Sequence, residues 1–337
     1  MEIKEILVIQ IKQVGDCILT EPVFRAIKEK FPTCRTSFVV SRAFSEIFEN
    51  NPYIDEIIRY DFKKPFAELL KIRKKKYDVV MDFLGNPRSR GLTLFARAPL
   101  KLGFTKKGSA FFYTKTVPAS SGPEYVSDTK FRMLAALGIS ASPRPIKIYL
   151  TDEEKKMFAD YSREKGRAGL VAISATSRRP ARRWTKEHFA ELADILIRSH
   201  NLTPVFVWGP GEEDYVKSVM DMMKEKALLA PPTKLRELAS LLYNCKLLVS
   251  NDNGVRHLAA AVGTPTLVMT GPTFRECWTP KEKEHRALQA DVPCIACSRT
   301  ECDSMICMKE VRADEAALEA MDMISKYSGG IDEKEIR

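Results

Sequence analysis

This sequence predicts an α/β fold built from two doubly wound, Rossmann-like domains. Short apolar runs recur along the chain, each followed by an amphipathic segment, which is the order of a parallel sheet wound with helices. The alternation occurs twice, before and after the proline-bearing stretch "SPRPIKIYLTDEEKK" at residues 142–156, whose composition suits a linker. At 337 residues the chain can give each half its own core.

In the first half "EILVIQI" reads as a strand and "LTEPVFRAIKEKF" as a helix, followed by strands at "TSFVVS", "DEIIRY" and "YDVVMDF" with helical segments between. The second half opens on the buried strand "GLVAISA". In "TKEHFAELADILIRSH", Phe189, Leu192, Ala193, Leu196 and Ile197 share one helical face and Thr185 is placed to cap it. Then come the strand "TPVFVWG", a helix through "EEDYVKSVMDMMKE", a short strand at "ALLA", the helix "TKLRELASLLYN" and the strand "KLLVS". Domains are expected at 1–155 and 165–325, facing each other across a cleft. Ligands of such sheets bind outside the carboxyl ends of the strands, so the loops after strands are where function is sought.

Hydrophobic residues make up 45% of the chain and charged residues 29%, the balance of a soluble globular protein. No apolar run reaches the roughly 20 residues a membrane-spanning helix needs. The start "MEIKEILVIQIK" lacks the basic head and cleavage site of a signal peptide, so a cytoplasmic location is expected. The net charge of +10 is uneven: residues 1–160 hold 28 Lys and Arg against 19 Asp and Glu, and residues 161–337 hold 26 against 25. A basic first half can attract nucleic acid, an anionic membrane surface or a phosphorylated substrate. Part of the excess lies in "KIRKKKYD", which also reads simply as a solvated helix end.

Eight cysteines in a chain this long do not make a secreted disulfide framework. Four of them, Cys294, Cys297, Cys302 and Cys307, crowd into "CIACSRTECDSMIC". Thiolates so grouped can ligate zinc, but the spacing does not follow common zinc-finger patterns; metal, reduced thiols and a structural staple all stay open.

Three strand ends in the second half and one in the first carry candidate chemistry. In "SNDNGVRHLAAAVGTPTLVMTGPT" (250–273) an apolar run stops at Asp252, Asn253 and Gly254, and a small-residue helix follows with His257 in its first turn. Asp252 or Asn253 suits a cap, Gly254 leaves backbone N–H groups open to a ligand, and the helix start is an anion site. His257 there is either a donor to phosphate or sugar, or a buried and satisfied histidine. After "GLVAISATS", Arg178, Arg179, Arg182 and Arg183 crowd around the loop before Trp184, where guanidinium groups can grip a diphosphate bidentately. In "VFVWGPGEED", Glu212 can accept from ribose hydroxyls or merely complement a helix dipole. The first domain offers "KQVGDCILTEP", with neither the dinucleotide nor the P-loop glycine pattern. Asp16 in it is a candidate general base, or only a helix cap.

Together "VGDCILTEPVFRAIKEKFP", "RRWTKEHFAEL", "SNDNGVRHLAAAVGTPTLVMTGPT" and "PCIACSRTECDSMICMKEV" resemble glycosyltransferase family 9, the lipopolysaccharide heptosyltransferases, and the cysteine group resembles the second heptosyltransferase type. The resemblance runs from about residue 3 to about residue 312. It implies a GT-B fold whose N-terminal domain binds the acceptor, the lipid A–core, and whose C-terminal domain binds the sugar nucleotide ADP-heptose. Asp16 would be the general base of an inverting transfer. Thr176, Arg182, Arg183, Glu212, Asp252, Asn253, Gly254, His257 and Thr273 form the donor-binding set expected from the strand ends and the resemblance. Asn253 stands where the family usually has threonine, and Arg182 where it has lysine. No cofactor and no metal are expected, and the protein is expected to sit peripherally on the inner leaflet of the inner membrane. Two rival readings are a relative using another nucleotide sugar or glycan acceptor, and a non-catalytic nucleotide- or nucleic-acid-binding protein. Against the latter, the sequence shows neither an aromatic-basic stacking motif nor a helix-turn-helix, so no nucleic-acid partner is expected.

Overall fold

The computed structural model describes residues 2–106, 108–140, 144–161 and 169–327. The chain divides into two compact units, Met1–Tyr149 and Leu150–Arg337.

In the first unit six parallel strands, β1 (Glu5–Ile9), β2 (Arg35–Ser41), β3 (Glu56–Tyr60), β4 (Val79–Asp82), β5 (Leu100–Phe104) and β6 (Lys115–Val117), lie in the order β3-β2-β1-β4-β5-β6. Ile6, Leu7, Val8 and Ile9 of β1 are all fully buried. Central parallel strands covered on both faces lose the polar alternation of a half-exposed strand, which is why β1 reads as one apolar run. The helix expected over "LTEPVFRAIKEKF" is present as Glu21–Lys30, and a short helix that the sequence does not announce, Val14–Ile18, precedes it. Pro22 belongs to the first turn of the longer helix, where its missing N–H costs nothing. Between the two helices, the Thr20 hydroxyl donates back to the Asp16 carbonyl at 2.8 Å.

In the second unit β7 (Leu170–Ser174), β8 (Thr203–Phe206), β9 (Leu228–Leu229), β10 (Cys245–Asn251), β11 (Thr266–Thr270) and β12 (His285–Gln289) form a parallel sheet in the order β12-β11-β10-β7-β8-β9. Thr185 caps the helix Lys186–His200 by accepting from the His188 N–H, and Asn201 ends it in the left-handed region at φ 51°. Leu192 and Leu196 of that helix share a core with Ala316, Ala320 and Met323 of the terminal helix Ala313–Tyr327. The fully buried Trp184 donates from Nε1 to the Val311 carbonyl at 2.8 Å, so the residue that follows the arginine loop is anchored in this core.

The helix Asp152–Lys156, expected at the end of the first domain, belongs to the second unit: Glu154 pairs with Arg236, and Asn244 donates to the Lys155 carbonyl. Ser142 and Pro143 of the expected linker, and residues 165–168 of the expected second domain, lie outside the described residues.

Both sheets have the same strand order, reversing direction at β1/β4 in one and β7/β10 in the other. The crevice at such a reversal, outside the carboxyl ends of the two strands, is where doubly wound sheets bind ligands. The short helix after β1 holds Asp16, the loop after β7 holds Thr176 and the arginines, and the strand-to-helix turn after β10 holds Asp252, Asn253 and Gly254.

Candidate active site

In the second unit the site is organised around one buried carboxylate. Asp252 accepts from Arg182 Nη1 at 2.8 Å and from the Thr273 hydroxyl at 2.9 Å through Oδ2, and from Arg256 Nη1 at 3.3 Å through Oδ1. The residues following β7, β10 and β11 thus meet on one side chain. Arg182 keeps Nε without a partner in a buried position, a donor aimed at nothing the described residues supply. Charged donors left so are costly unless a ligand satisfies them.

Asp252 does not cap the following helix, Gly254–Ala261; Asn253 does, accepting from the Val255 N–H at 3.0 Å. The Asn253 amide also donates to Ser174 Oγ and the Thr176 carbonyl, both at 2.9 Å, so the helix start is locked to the end of β7. Preceding it, Asn251 accepts from the Trp184 N–H at 2.7 Å and donates to the Ala175 carbonyl at 2.7 Å.

His257 is buried, with Nδ1 lacking any partner among the described residues. Burial first, then the charges of Arg256 and His285, push its pKa well below the usual value. The imidazole is therefore neutral at pH 7 and available as a hydrogen-bond donor or acceptor rather than a cation.

Two expected phosphate or ribose ligands are partly engaged within the protein. Arg183 donates from Nε to the Ser177 carbonyl at 2.8 Å, and its guanidinium lies 4.9 Å from the Tyr215 ring centroid. Glu212 Oε2 accepts from the Thr176 hydroxyl at 2.7 Å and the Gly209 N–H at 3.0 Å, leaving Oε1 without a partner among the described residues. Arg178 and Arg179 are exposed.

The cysteine loop braces this region. Ala296 N–H donates to the Gly271 carbonyl at 3.0 Å, Ser298 N–H to the Pro272 carbonyl at 2.6 Å, and Ala181 N–H to the Thr300 carbonyl at 3.1 Å. Ala296, Ser298 and Met305 adopt left-handed backbone, an uncommon conformation for side-chain-bearing residues. All eight cysteines are free thiols; Cys307 is buried and Cys294 and Cys297 are exposed. Burial raises the Cys307 pKa, and the neighbouring Cys294, Cys297 and Cys302 add to the effect. Among the described residues no three His, Cys, Asp or Glu side chains are grouped to hold a metal ion.

In the first unit Asp16 lies in the helix Val14–Ile18, whose N-cap position is Gln13, so it is not the cap residue. Its carboxylate accepts no hydrogen bond from the described residues. Burial raises its pKa, and the charge of Lys130 partly offsets the rise. Lys130, from the helix Val126–Leu134, is buried beneath it and donates to the Asp16 carbonyl at 3.2 Å, Thr20 Oγ1 at 2.9 Å and Gln10 Oε1 at 3.3 Å.

Residues 68–306, more than half of the chain, match the family described as glycosyltransferase family 9 (heptosyltransferase). The chain belongs to glycosyltransferase family 9. Among curated relatives of this family 9 chain, the lipopolysaccharide core heptosyltransferase OpsX of Haemophilus influenzae is 24% identical over 78% of each protein. A family 9 glycosyl transferase of Veillonella parvula superposes with a TM-score of 0.78 at 25% identity, covering 86% of this chain and 87% of that one. The E. coli ADP-heptose lps heptosyltransferase II superposes with a TM-score of 0.80 at 18% identity, covering 95% and 98%, and shows that the two six-stranded sheets are the GT-B fold. Family 9 membership makes the chain a glycosyltransferase.

Lys130, Asn251 and Arg256 were not singled out in the sequence. Arg256 carried a local signal, since it lies one helical turn after Asp252. Lys130 carried none, because its partners are more than a hundred residues away.

Proposed function

We propose that this glycosyltransferase moves a heptosyl group from ADP-heptose to the inner core of lipopolysaccharide, inverting the anomeric centre, at the cytoplasmic face of the inner membrane. The observation that carries the reading is the Asp252 node, where Arg182, Arg256 and Thr273 converge beside the helix start at Asn253 and Gly254. Such a helix start, with arginines beside it, suits a leaving diphosphate.

In this mechanism the second unit holds the donor. Backbone N–H groups at Asn253 and Gly254, with Arg182 and the exposed Arg178 and Arg179, stabilise charge as it develops on the departing ADP. Neutral His257 hydrogen-bonds the diphosphate or the sugar, and Glu212 Oε1 accepts from a ribose hydroxyl. The first unit takes the acceptor, whose hydroxyl loses its proton to Asp16 as its oxygen attacks the anomeric carbon. One displacement inverts that carbon. The arginine loop supplies the positive charge, and the sequence carries no Asp-x-Asp pair in a donor loop, so neither a divalent metal nor a cofactor is assigned a step.

The test incubates the purified protein with ADP-heptose and a heptose-deficient core acceptor, in chelator and in magnesium, and weighs the product. A gain of one heptosyl residue in both conditions is expected. Transfer only from another nucleotide sugar overturns the donor assignment; loss of turnover in chelator, restored by magnesium, overturns the metal-free mechanism.

A further inference from the structure

The helices Pro65–Lys74 and Pro87–Phe95 in the first unit carry more apolar surface than their core needs. Ile72 is buried inward, while Phe66 is 80% and Leu70 60% exposed one turn apart on the outside. On the neighbouring helix Leu94 and Phe95 are 42% and 40% exposed. The two helices pack together: a Cβ built on Gly91 would meet Leu69 at 3.9 Å.

Cations surround these side chains. A shallow cavity of about 260 Å³ is lined by Leu70, Arg73, Lys74 and Arg97. None of those three cations forms an ion pair among the described residues. From Phe83 to Pro123 the sequence contains seven Lys and Arg and no Asp or Glu. Exposed apolar side chains rimmed by unpaired cations are built for a surface that is anionic outside and apolar beneath.

We infer that this face docks the protein on an anionic lipid bilayer, with Phe66, Leu70, Leu94 and Phe95 entering the acyl boundary and Arg73, Lys74 and Arg97 meeting headgroup phosphates. A second copy of the chain is a poor occupant, because it would bring the same cations face to face. The inference rests on the reading of an acceptor displayed on a membrane, and adds which surface meets that membrane.

Flotation of the full chain with vesicles tests it, comparing phosphatidylcholine alone with phosphatidylcholine containing phosphatidylglycerol. Binding to the anionic vesicles is expected at about 0.1 M salt and should collapse at about 1 M, where the Debye length shrinks from about 10 Å to about 3 Å. Phe66→Ser/Leu70→Ser and Arg73→Glu/Lys74→Glu should each weaken it by roughly tenfold or more, with melting temperatures unchanged because the side chains are exposed. Wild-type failure to float, equal flotation with both vesicle types, or variants that float like wild type overturns the inference. So does light scattering that shows a dimer lost in Phe66→Ser/Leu70→Ser. With a delipidated, soluble acceptor Phe66→Ser/Leu70→Ser should turn over at the wild-type rate. A wild-type protein that floats but transfers no heptose refutes the proposed reaction and leaves the docking face standing.

Discussion

Arg182 donates to Asp252 across 2.8 Å, tying the loop after β7 to the loop after β10 at the point where the strand order reverses. Arg256 approaches the other carboxylate oxygen and is 1% exposed, so Asp252 neutralises a guanidinium that has no route to water. Asp252→Ala should therefore destabilise the second unit by about 3–5 kcal/mol, the usual result of orphaning a buried charge. Thr273→Val removes one hydrogen bond to the same carboxylate and should cost about 1 kcal/mol. Thermal denaturation of the two variants checks this ordering; equal, small losses would show that the node is not structurally coupled.

Gly271 ends β11 against the cysteine loop, and the space a methyl group would need is taken. A Cβ there would lie 2.6 Å from Cys307 Sγ and 2.7 Å from Met308 Sδ. Met308 can swing aside, but the buried Cys307, whose Cβ is 3.2 Å away, is less free. Gly271→Ala should cost about 1–3 kcal/mol by overpacking. It should also raise the KM for the donor more than it changes kcat, since Thr273 lies two residues on. An unchanged donor KM would mean that the cysteine loop does not position the Gly-Pro-Thr turn.

The two sheets were legible because their central strands are buried on both faces and read as apolar runs: β1, β7 and β10 all follow the sequence expectation closely. β5, β6 and β12 were not anticipated. "LKLGF", "KTV" and "HRALQ" are partly exposed edge-side segments, and their composition is that of loops. The site was legible at Asp252, Asn253 and His257, which are close in sequence and sit at a strand-to-helix turn. What the sequence withheld was pairing: that Asn253 rather than Asp252 caps the helix, that Arg183 stacks on Tyr215, and that Lys130 reaches Asp16. Asp252 and Asn253 are adjacent and suit a cap equally well, and the other two contacts join residues far apart in the chain, where no period or spacing records them.

His257 gives the folded protein an acid limit. Its pKa is pushed well below the usual 6.5 by burial, so above that value it is neutral in folded and unfolded chains alike and contributes its full share of stability. As the pH falls below 6.5 the unfolded chain takes up a proton that the folded chain refuses, and stability declines. The melting temperature of wild type should drop between about pH 7 and pH 5 more steeply than that of His257→Gln, because each pH unit of differential binding is worth up to about 1.4 kcal/mol. Parallel curves would place the acid sensitivity elsewhere.

Asp16 and Lys130 make the sharpest test of the proposed chemistry. Asp16 is not at the cap position and its carboxylate accepts no hydrogen bond from the described residues, so Asp16→Asn should leave the fold and donor affinity nearly intact. If the carboxylate takes the acceptor's proton, turnover should fall by roughly 10²–10⁴. Lys130 acts through Asp16: its buried charge holds down a carboxyl that burial raises. Removing that charge in Lys130→Met lets the Asp16 pKa climb further. The base is then ionised only at higher pH, and the acid limb of the kcat/KM profile should move upward. Lys130→Arg keeps the charge and should hold the limb near its wild-type position. A variant that is merely misfolded would lower the whole profile without moving its limb, so the measurement is the apparent pKa across pH in all three proteins. A limb that stays in place in a folded Lys130→Met protein would remove Lys130 from any role in setting the base, and a folded Asp16→Asn enzyme keeping more than about a tenth of the wild-type rate would remove Asp16 from the chemistry.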